Sequence, residues 1–136
     1  MRGASAKTTL AQVVLDTSFL IALVEGPLPG FDEAKTILGR VEFLVPAPVL
    51  RELEGLCGGR SVKRAILARK ALDYARRLKV VELPRGMPVD DAIVSYASTH
   101  NLLVATLDAK LRRRLLRHRV PVMTLRGRRV VLEGGG

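Results

Sequence analysis

Five acidic residues occupy positions at which α/β proteins build active sites. Asp16 interrupts the apolar run 13–21, and Asp108 directly follows the apolar run 102–107. Glu52 lies on the helix predicted after the second strand, and Asp90 and Asp91 open the helix predicted before the fourth. Parallel strands bring their carboxyl ends to one edge of a sheet, where ligands bind near the reversal of strand order. We therefore expect these acids to lie near one another.

A group of carboxylates without histidine or cysteine is typical of a site for a hard divalent cation. Clustered carboxylates repel and raise one another's pKa unless a cation lies among them. Mg²⁺ takes a few carboxylates, keeps several waters and accepts phosphate oxygens from a substrate. His100 and His118 lie at the ends of predicted helices, and no histidine or cysteine cluster has zinc-site spacing.

Each acidic residue also has a purely structural interpretation. A buried, unpaired carboxylate costs several kcal/mol, so a strand-end acid often serves as a helix cap instead. The chain has only 13 Asp and Glu residues and 23 Lys and Arg residues. Because acidic residues are the minority, several of them at predicted strand ends favour a shared functional site over separate structural roles. The structural alternatives are capping by Asp16 or its neighbour Ser18, an exposed Glu52, an N-cap at Asp90, a dipole-stabilising Asp91 and a cap at Asp108.

Strands and helices alternate along the chain, which predicts an α/β fold. Strands are expected at 12–15, 43–45, 80–83, 102–107 and 120–125, with 129–132 as the candidate for a further short strand. Helices are expected at 17–25, 31–41, 49–56, 62–78, 91–99 and 110–119. The prediction is one domain over residues 12–132, with a central, mainly parallel five-stranded sheet and helices on both faces. Residues 1–11 are expected to be a flexible lead-in and residues 133–136 a frayed tail.

The composition favours a basic intracellular protein that binds a polyanion. The chain of 136 residues carries a net charge of +10, for which nucleic acid is the leading partner. Charge that serves solubility alone is the alternative. The single cysteine, Cys57, excludes an internal disulfide and fits a reducing cytoplasm. No apolar segment is long enough to predict a membrane anchor.

Two predicted helices, 62–78 and 110–119, carry most of the candidate phosphate-binding residues. Aromatic residues make up only 4% of the chain, so backbone recognition of RNA is favoured over extensive base stacking. The alternative for each helix is a solvated basic face. The candidate nucleic-acid-binding residues are Lys63, Arg64, Arg112, Arg113, Arg114 and Arg117.

Four segments in order give the chain a family resemblance. They are 14–19 (VLDTSF), 45–53 (VPAPVLREL), 90–93 (DDAI) and 104–108 (VATLD). In order and spacing over 13–125 the chain resembles the PIN domain nucleases. The doubled acid at 90–91 and the arginine run after Asp108 are most similar to the ribosomal-RNA-processing PIN endonucleases. The VapC-type toxins of toxin–antitoxin pairs are the nearer rival.

The resemblance implies an endoribonuclease that hydrolyses RNA phosphodiester bonds with one or two Mg²⁺ or Mn²⁺ ions. It implies 5′-phosphate and 3′-hydroxyl products. Ala109 and Lys110 stand where many relatives have a further acid, which is a departure that bears on a second metal ion. The implied catalytic acids are Asp16, Glu52, Asp90 and Asp108. The implied metal ligands are Asp16, Asp90 and Asp108, with Asp91 as an alternate for Asp90. The supporting hydroxyl residues are Thr17, Ser18 and Thr106.

Other functions and partners stay open from the sequence. A PIN-like module that binds RNA without cutting it is one alternative. A phosphoryl-transfer enzyme with Asp16 as nucleophile is another, although that class commonly has a second Asp where this chain has Ser18. Besides RNA, the partners to consider are a ribosome-assembly factor, an antitoxin and a second copy of the chain, which would contact apolar residues around Leu23, Val24 and Leu28.

Overall fold

Six strands form one sheet in the computed structural model, which describes residues 10–134. The strands are β1 (Leu10–Leu15), β2 (Arg40–Pro46), β3 (Lys79–Val81), β4 (Leu103–Ala105), β5 (Val122–Arg126) and β6 (Arg129–Glu133). Their spatial order is β3-β2-β1-β4-β5-β6. The first five strands are parallel to their neighbours, and β6 pairs antiparallel with β5.

Helices cover both faces of this sheet. They are α1 (Thr17–Glu25), α2 (Phe31–Leu38), α3 (Ala47–Cys57), α4 (Val62–Ala75), α5 (Val89–His100) and α6 (Ala109–Arg117). Side chains alternate between the faces of a strand. Val13 and Leu15 of β1 therefore pack in one buried cluster with α1 to α4, whereas Val14 packs in a second cluster with α5 and α6.

This architecture confirms the predicted α/β fold, with six strands instead of five. The additional strand, β6, forms a hairpin with β5 through a turn at Gly127, whose φ of 64° lies in the left-handed region that glycine adopts readily. Val130 of β6 also donates a backbone hydrogen bond to Pro29, with an N···O distance of 2.7 Å. These contacts anchor a segment that the sequence offered only as a candidate strand.

Several element boundaries differ from the predicted ones. Strand β1 begins at Leu10, because Leu10 pairs with Arg40 of β2, so Leu10 and Ala11 are not part of a lead-in. Val41 lies in β2 and not in the preceding helix, which ends before Gly39, a residue with φ of 85°. The rest of the predicted lead-in, and residues 135–136 of the predicted tail, lie outside the described residues.

The apolar residues proposed as a dimer surface are not freely exposed. Leu23, Val24 and Leu28 are half-buried and pack against the hydrophobic cluster on the α1 to α4 side of the sheet. They therefore contribute to the domain's own core. Within residues 10–134, no helix has the length and apolar character needed to cross a membrane.

The strand order reverses between β1 and β4, which places a topological switch point at the carboxyl ends of these two strands. Leu15 and Ala105 are register partners, so Asp16 and Thr106 follow neighbouring strands at the same level. The backbone N–H of Asp16 donates to the carbonyl of Ala105 at 3.0 Å. The fold thus places the first predicted site residue where α/β proteins bind ligands.

Candidate active site

The carboxylate of Asp16 is held by hydroxyl groups at the switch point. Asp16 occupies the N-cap position of α1, but its side chain makes no capping hydrogen bond. Thr106 Oγ1 donates to Asp16 Oδ2 at 2.7 Å, and Ser18 Oγ donates to the same oxygen at 3.2 Å. The helix-cap interpretation therefore does not describe what this side chain does.

Both hydroxyls are themselves fixed by the backbone. Ser18 Oγ accepts a hydrogen bond from the N–H of Leu107 at 3.0 Å, and Thr106 Oγ1 accepts one from the N–H of Asp108 at 3.1 Å. Each hydroxyl has one proton, and accepting from the backbone directs that proton to Asp16. The orientation of the Asp16 carboxylate is therefore set by the segment that follows β4.

Burial raises the pKa of Asp16 above its ordinary value. Hydrogen bonds from Thr106 and Ser18 to the ionised form partly offset this effect, and the negative charge of Glu52 adds to it. In the metal-free protein the ionised Asp16 is thus disfavoured relative to an exposed aspartate. A bound cation would relieve that cost.

Asp90 and Asp91 lie together in the first turn of α5 but have different surroundings. The predicted N-cap at Asp90 is wrong, because Pro88 holds that position. Burial raises the pKa of Asp90, the negative charges of Asp16 and Asp108 raise it further, and Arg114 lowers it. Asp91 instead forms an ion pair with Arg114 of α6. The residue that is electrostatically coupled to the other acids is therefore Asp90.

Asp108 caps α6 with one of its two carboxylate oxygens. Its Oδ1 accepts hydrogen bonds from the backbone N–H groups of Lys110 at 2.9 Å and Leu111 at 3.2 Å. The capping alternative for this residue therefore describes the structure. It does not exclude a second role, because Asp108 also raises the pKa of Asp90 through its charge.

Glu52 is connected to the site through Thr17. It lies on α3, is exposed, and accepts a hydrogen bond from Thr17 Oγ1 at 2.8 Å. Thr17 is buried and adjoins Asp16. This hydrogen bond connects Glu52 to the first turn of α1. Glu52 is therefore exposed, as the structural alternative expected, but it is also held beside Asp16.

These acids are electrostatically coupled without forming a closed metal cage. Within residues 10–134, no three Asp, Glu, His or Cys side chains lie close enough together to hold a metal ion as the chain stands. Oxygen ligands of this kind nevertheless fit a hydrated Mg²⁺ or Mn²⁺, which needs only one or two carboxylates and keeps several waters. The pKa of Asp16 and of Asp90 is raised because burial and neighbouring negative charges outweigh the groups that favour the ionised form, and a bound cation would offset both effects.

The predicted nucleic-acid-binding residues have different environments. Arg112 Nη1 forms an ion pair with Glu133 Oε1 at 2.9 Å, and Arg114 pairs with Asp91. Arg113 and Arg117 are exposed and form no ion pair with any described carboxylate. Lys63 and Arg64 are exposed on the first turn of α4, and among the described residues the structure shows no contact between them and the acids.

A cleft of about 860 Å³ adjoins Glu52, and it was not predicted from the sequence. Its walls come from the first turns of α3, from the loop 82–87 and from the start of α5, and we call it the side cleft. It presents two exposed arginines, Arg51 and Arg85. The positions of these arginines in the sequence could have indicated that they lie near the site, since Arg51 adjoins Glu52 and Arg85 follows the carboxyl end of β3.

Comparison with known proteins agrees with this geometry. The family model described as "PIN like domain" matches residues 13–128. Ribonuclease VapC4 of Methanocaldococcus jannaschii is 29% identical over 119 residues, which cover 85% of this chain and 90% of that protein. The structure of the PIN domain endonuclease Utp24 superposes with a TM-score of 0.66 at 27% identity, covering 90% of this chain and 91% of that one.

A further solved structure supports the fold alone. It is a domain of a functionally unknown protein from Methanocaldococcus jannaschii, with a TM-score of 0.57 at 17% identity. The match covers 86% of this chain and 92% of that one.

Proposed function

This chain belongs to the PIN-like domain family, and we propose that it is a divalent-metal-dependent endoribonuclease. The observation that carries the proposal is the half-buried Asp16 carboxylate, which two hydroxyls hold at the switch point and which makes no capping hydrogen bond. Its electrostatic coupling to Asp90, and that of Asp90 to Asp108, supports a shared site. Likeness to a ribonuclease and to an endonuclease supports the reaction class.

Asp16, Asp90 and Asp108 are the residues that would hold Mg²⁺ or Mn²⁺. The bound ion would supply a Lewis acid that lowers the pKa of water and stabilises negative charge on the reacting phosphate. Asp91 would remain the partner of Arg114. Because Ala109 and Lys110 offer no further carboxylate, one ion is the simpler stoichiometry.

The chain's own residues orient the reacting groups. Thr106 and Ser18 fix the Asp16 carboxylate, and Thr17, the next residue along the chain, donates a hydrogen bond to Glu52. We assign Glu52 the task of orienting the attacking water and accepting its proton. Attack at phosphorus breaks the bond to the 3′ oxygen, which leaves as a 3′-hydroxyl and takes up a proton, while the other product carries a 5′-phosphate.

RNA is the proposed substrate, with a ribosomal RNA precursor as the specific candidate. The net charge of +10 supports a polyanion as partner. Arg113 and Arg117, which form no ion pair with a carboxylate among residues 10–134, lie on the helix that Asp108 caps. The doubled acid at 90–91 and the arginine run support the RNA-processing branch of the family over the toxins.

The direct test is cleavage of a labelled single-stranded RNA by purified protein with Mn²⁺, compared with the variant Asp16→Asn. We expect the wild type to release 5′-phosphorylated fragments and Asp16→Asn to release none while retaining its circular dichroism spectrum. Equal cleavage by both proteins would show contaminating nuclease or a different active site. RNA binding without cleavage by the wild type would favour the non-cleaving module instead.

A toxin ribonuclease is the second candidate, because VapC4 aligns over 90% of its length. A toxin is expected to arrest growth when expressed alone and to be neutralised by a small protein that covers its acidic site. Expression of the wild type and of Asp16→Asn, each with and without the product of the adjacent reading frame, separates the two functions. Arrest by the wild type alone, relieved by that product, would establish the toxin.

A further inference from the structure

The side cleft adjoins the candidate catalytic site through a shared residue. Glu52 lines the cleft and also accepts the hydrogen bond from Thr17 beside Asp16. Ala92, which follows the acidic pair of α5, also lines the cleft. The cleft therefore lies next to the candidate catalytic site, with Glu52 common to both.

The size and lining of the cleft suit one nucleotide. Its volume of about 860 Å³ falls in the range of roughly 300–1,000 Å³ typical of small-ligand sites. Met87, at the end of the loop, and Val89, at the start of α5, form an apolar wall and are 42% and 43% exposed. An apolar wall of this kind would exclude water from the face of an unstacked base placed against it.

The two arginines of the cleft are uncommitted cations. Neither Arg51 nor Arg85 forms an ion pair with a carboxylate among residues 10–134. They come from different walls, α3 and the loop after β3, so together they can contact phosphates on either side of one nucleotide. A planar guanidinium binds phosphate oxygens with two parallel hydrogen bonds.

Two acidic residues, Glu52 and Glu82, also line the cleft, and their charges oppose phosphate binding. Glu52 already accepts the hydrogen bond from Thr17, whereas Glu82 faces the cleft from the loop after β3. A carboxylate is instead suited to accept a hydrogen bond from the exocyclic amino group of a base, as Glu and Asp do with cytosine. Uracil has no such amino group. A carboxylate at this position would therefore favour cytosine over uracil.

From these observations we propose that the side cleft binds one unstacked nucleotide of the RNA strand and prefers cytosine to uracil. Arg51 and Arg85 bind its flanking phosphates, Met87 and Val89 contact the base, and Glu82 selects the amino group. This proposal rests on the proposed function for its ligand, RNA. It adds a selective position beside a site that otherwise contacts only the backbone.

The test measures binding, so that it does not depend on cleavage. Fluorescein-labelled oligo(C) and oligo(U) decamers are titrated with Asp16→Asn in Mg²⁺, and then with the same protein carrying Arg51→Ala, Arg85→Ala or Glu82→Gln. Arg77→Ala is the matched control, because Arg77 is an exposed arginine that precedes the amino end of β3, away from the cleft.

We expect oligo(C) to bind at least about fivefold more tightly than oligo(U). Arg51→Ala and Arg85→Ala should each weaken both complexes about tenfold, Arg77→Ala less than about twofold, and Glu82→Gln should bring the ratio of the two affinities to about one. The proposal would be overturned if Asp16→Asn bound oligo(C) and oligo(U) with equal affinity. It would also be overturned if Arg51→Ala and Arg85→Ala lost no more RNA affinity than Arg77→Ala, and a protein partner would then be the better candidate for the cleft. Failure of the wild type to cleave would overturn the proposed function without deciding this binding result.

Discussion

Asp16 is the residue whose environment is most unlike that of a surface aspartate. Its burial and the neighbouring Glu52 raise its pKa, so the metal-free folded protein binds a proton at Asp16 more tightly than the unfolded chain does. Below the ordinary aspartate pKa of about 4 both states are protonated and the shift has no effect on stability. As the pH rises through the raised pKa, the folded state loses stability relative to the unfolded one.

We therefore predict that Asp16→Asn is more stable than the wild type in EDTA, by a margin that grows from about pH 4 to about pH 7. Each unit by which the pKa is raised corresponds to about 1.4 kcal/mol of unfolding free energy. Urea denaturation of both proteins at several pH values measures the margin. Mn²⁺ should reverse it by stabilising only the wild type, and a margin independent of pH would contradict the prediction.

The acidic pair of α5 provides a second test at the level of single residues. Because Asp91 pairs with Arg114 while Asp90 is coupled to Asp16 and Asp108, Asp90→Asn should lose far more activity than Asp91→Asn. Removing a residue that merely supports a ligand costs about 10–100-fold, so we expect more than about a hundredfold for Asp90→Asn. Cleavage rates and Mn²⁺ affinity measure both variants, and an inactive Asp91→Asn beside an active Asp90→Asn would reverse the assignment.

At the level of the elements, Asp108 joins the capping of α6 to the candidate site. Asparagine retains the capping oxygen and removes the charge, whereas alanine removes both. We predict that Asp108→Asn and Asp108→Ala both lose cleavage, but only Asp108→Ala loses about 1 kcal/mol of stability. Denaturation and cleavage assays on the two variants separate the roles. Full activity in Asp108→Asn would mean that the residue is a cap alone.

The sequence predicts the elements well because each one has a local signal. Apolar runs mark β1 and β4, and helical spacing marks α4 and α6. The end of α2 was placed too late because Val41 continues the helical spacing by coincidence, although Gly39 ends the helix. The hydrogen bond from Thr106 to Asp16 depends on the pairing of β1 with β4, since the two residues lie 90 positions apart. The ion pair of Asp91 with Arg114 depends on how α5 and α6 pack. No local pattern carries such information.

For the molecule as a whole, the distribution of paired and unpaired arginines should govern RNA binding. Arg112 and Arg114 already have carboxylate partners, whereas Arg113 and Arg117 have none among the described residues. We predict that affinity for RNA falls steeply with salt. Each unpaired arginine that is replaced should reduce the slope of log K against log salt by about 0.7.

The measurement is a salt titration of RNA binding by Arg113→Ala and Arg117→Ala in the Asp16→Asn protein. Arg112→Ala is the control on the same helix, and its slope should change less because Glu133 already neutralises that arginine. Equal changes at all three positions would show that α6 contributes only a diffuse positive field.

The pairing of Leu15 with Ala105 has a consequence for how folding can be monitored. A shift of β4 by one residue would send Thr106 to the opposite face of the sheet and leave Asp16 without the bond that orients it. Molecules refolded with that error would keep most of their helices and strands, and their far-ultraviolet spectrum would hardly differ. RNA cleavage would then distinguish molecules with the correct pairing of β1 and β4 from those with the shifted pairing. The active fraction of a refolded sample would equal the fraction of correctly paired molecules.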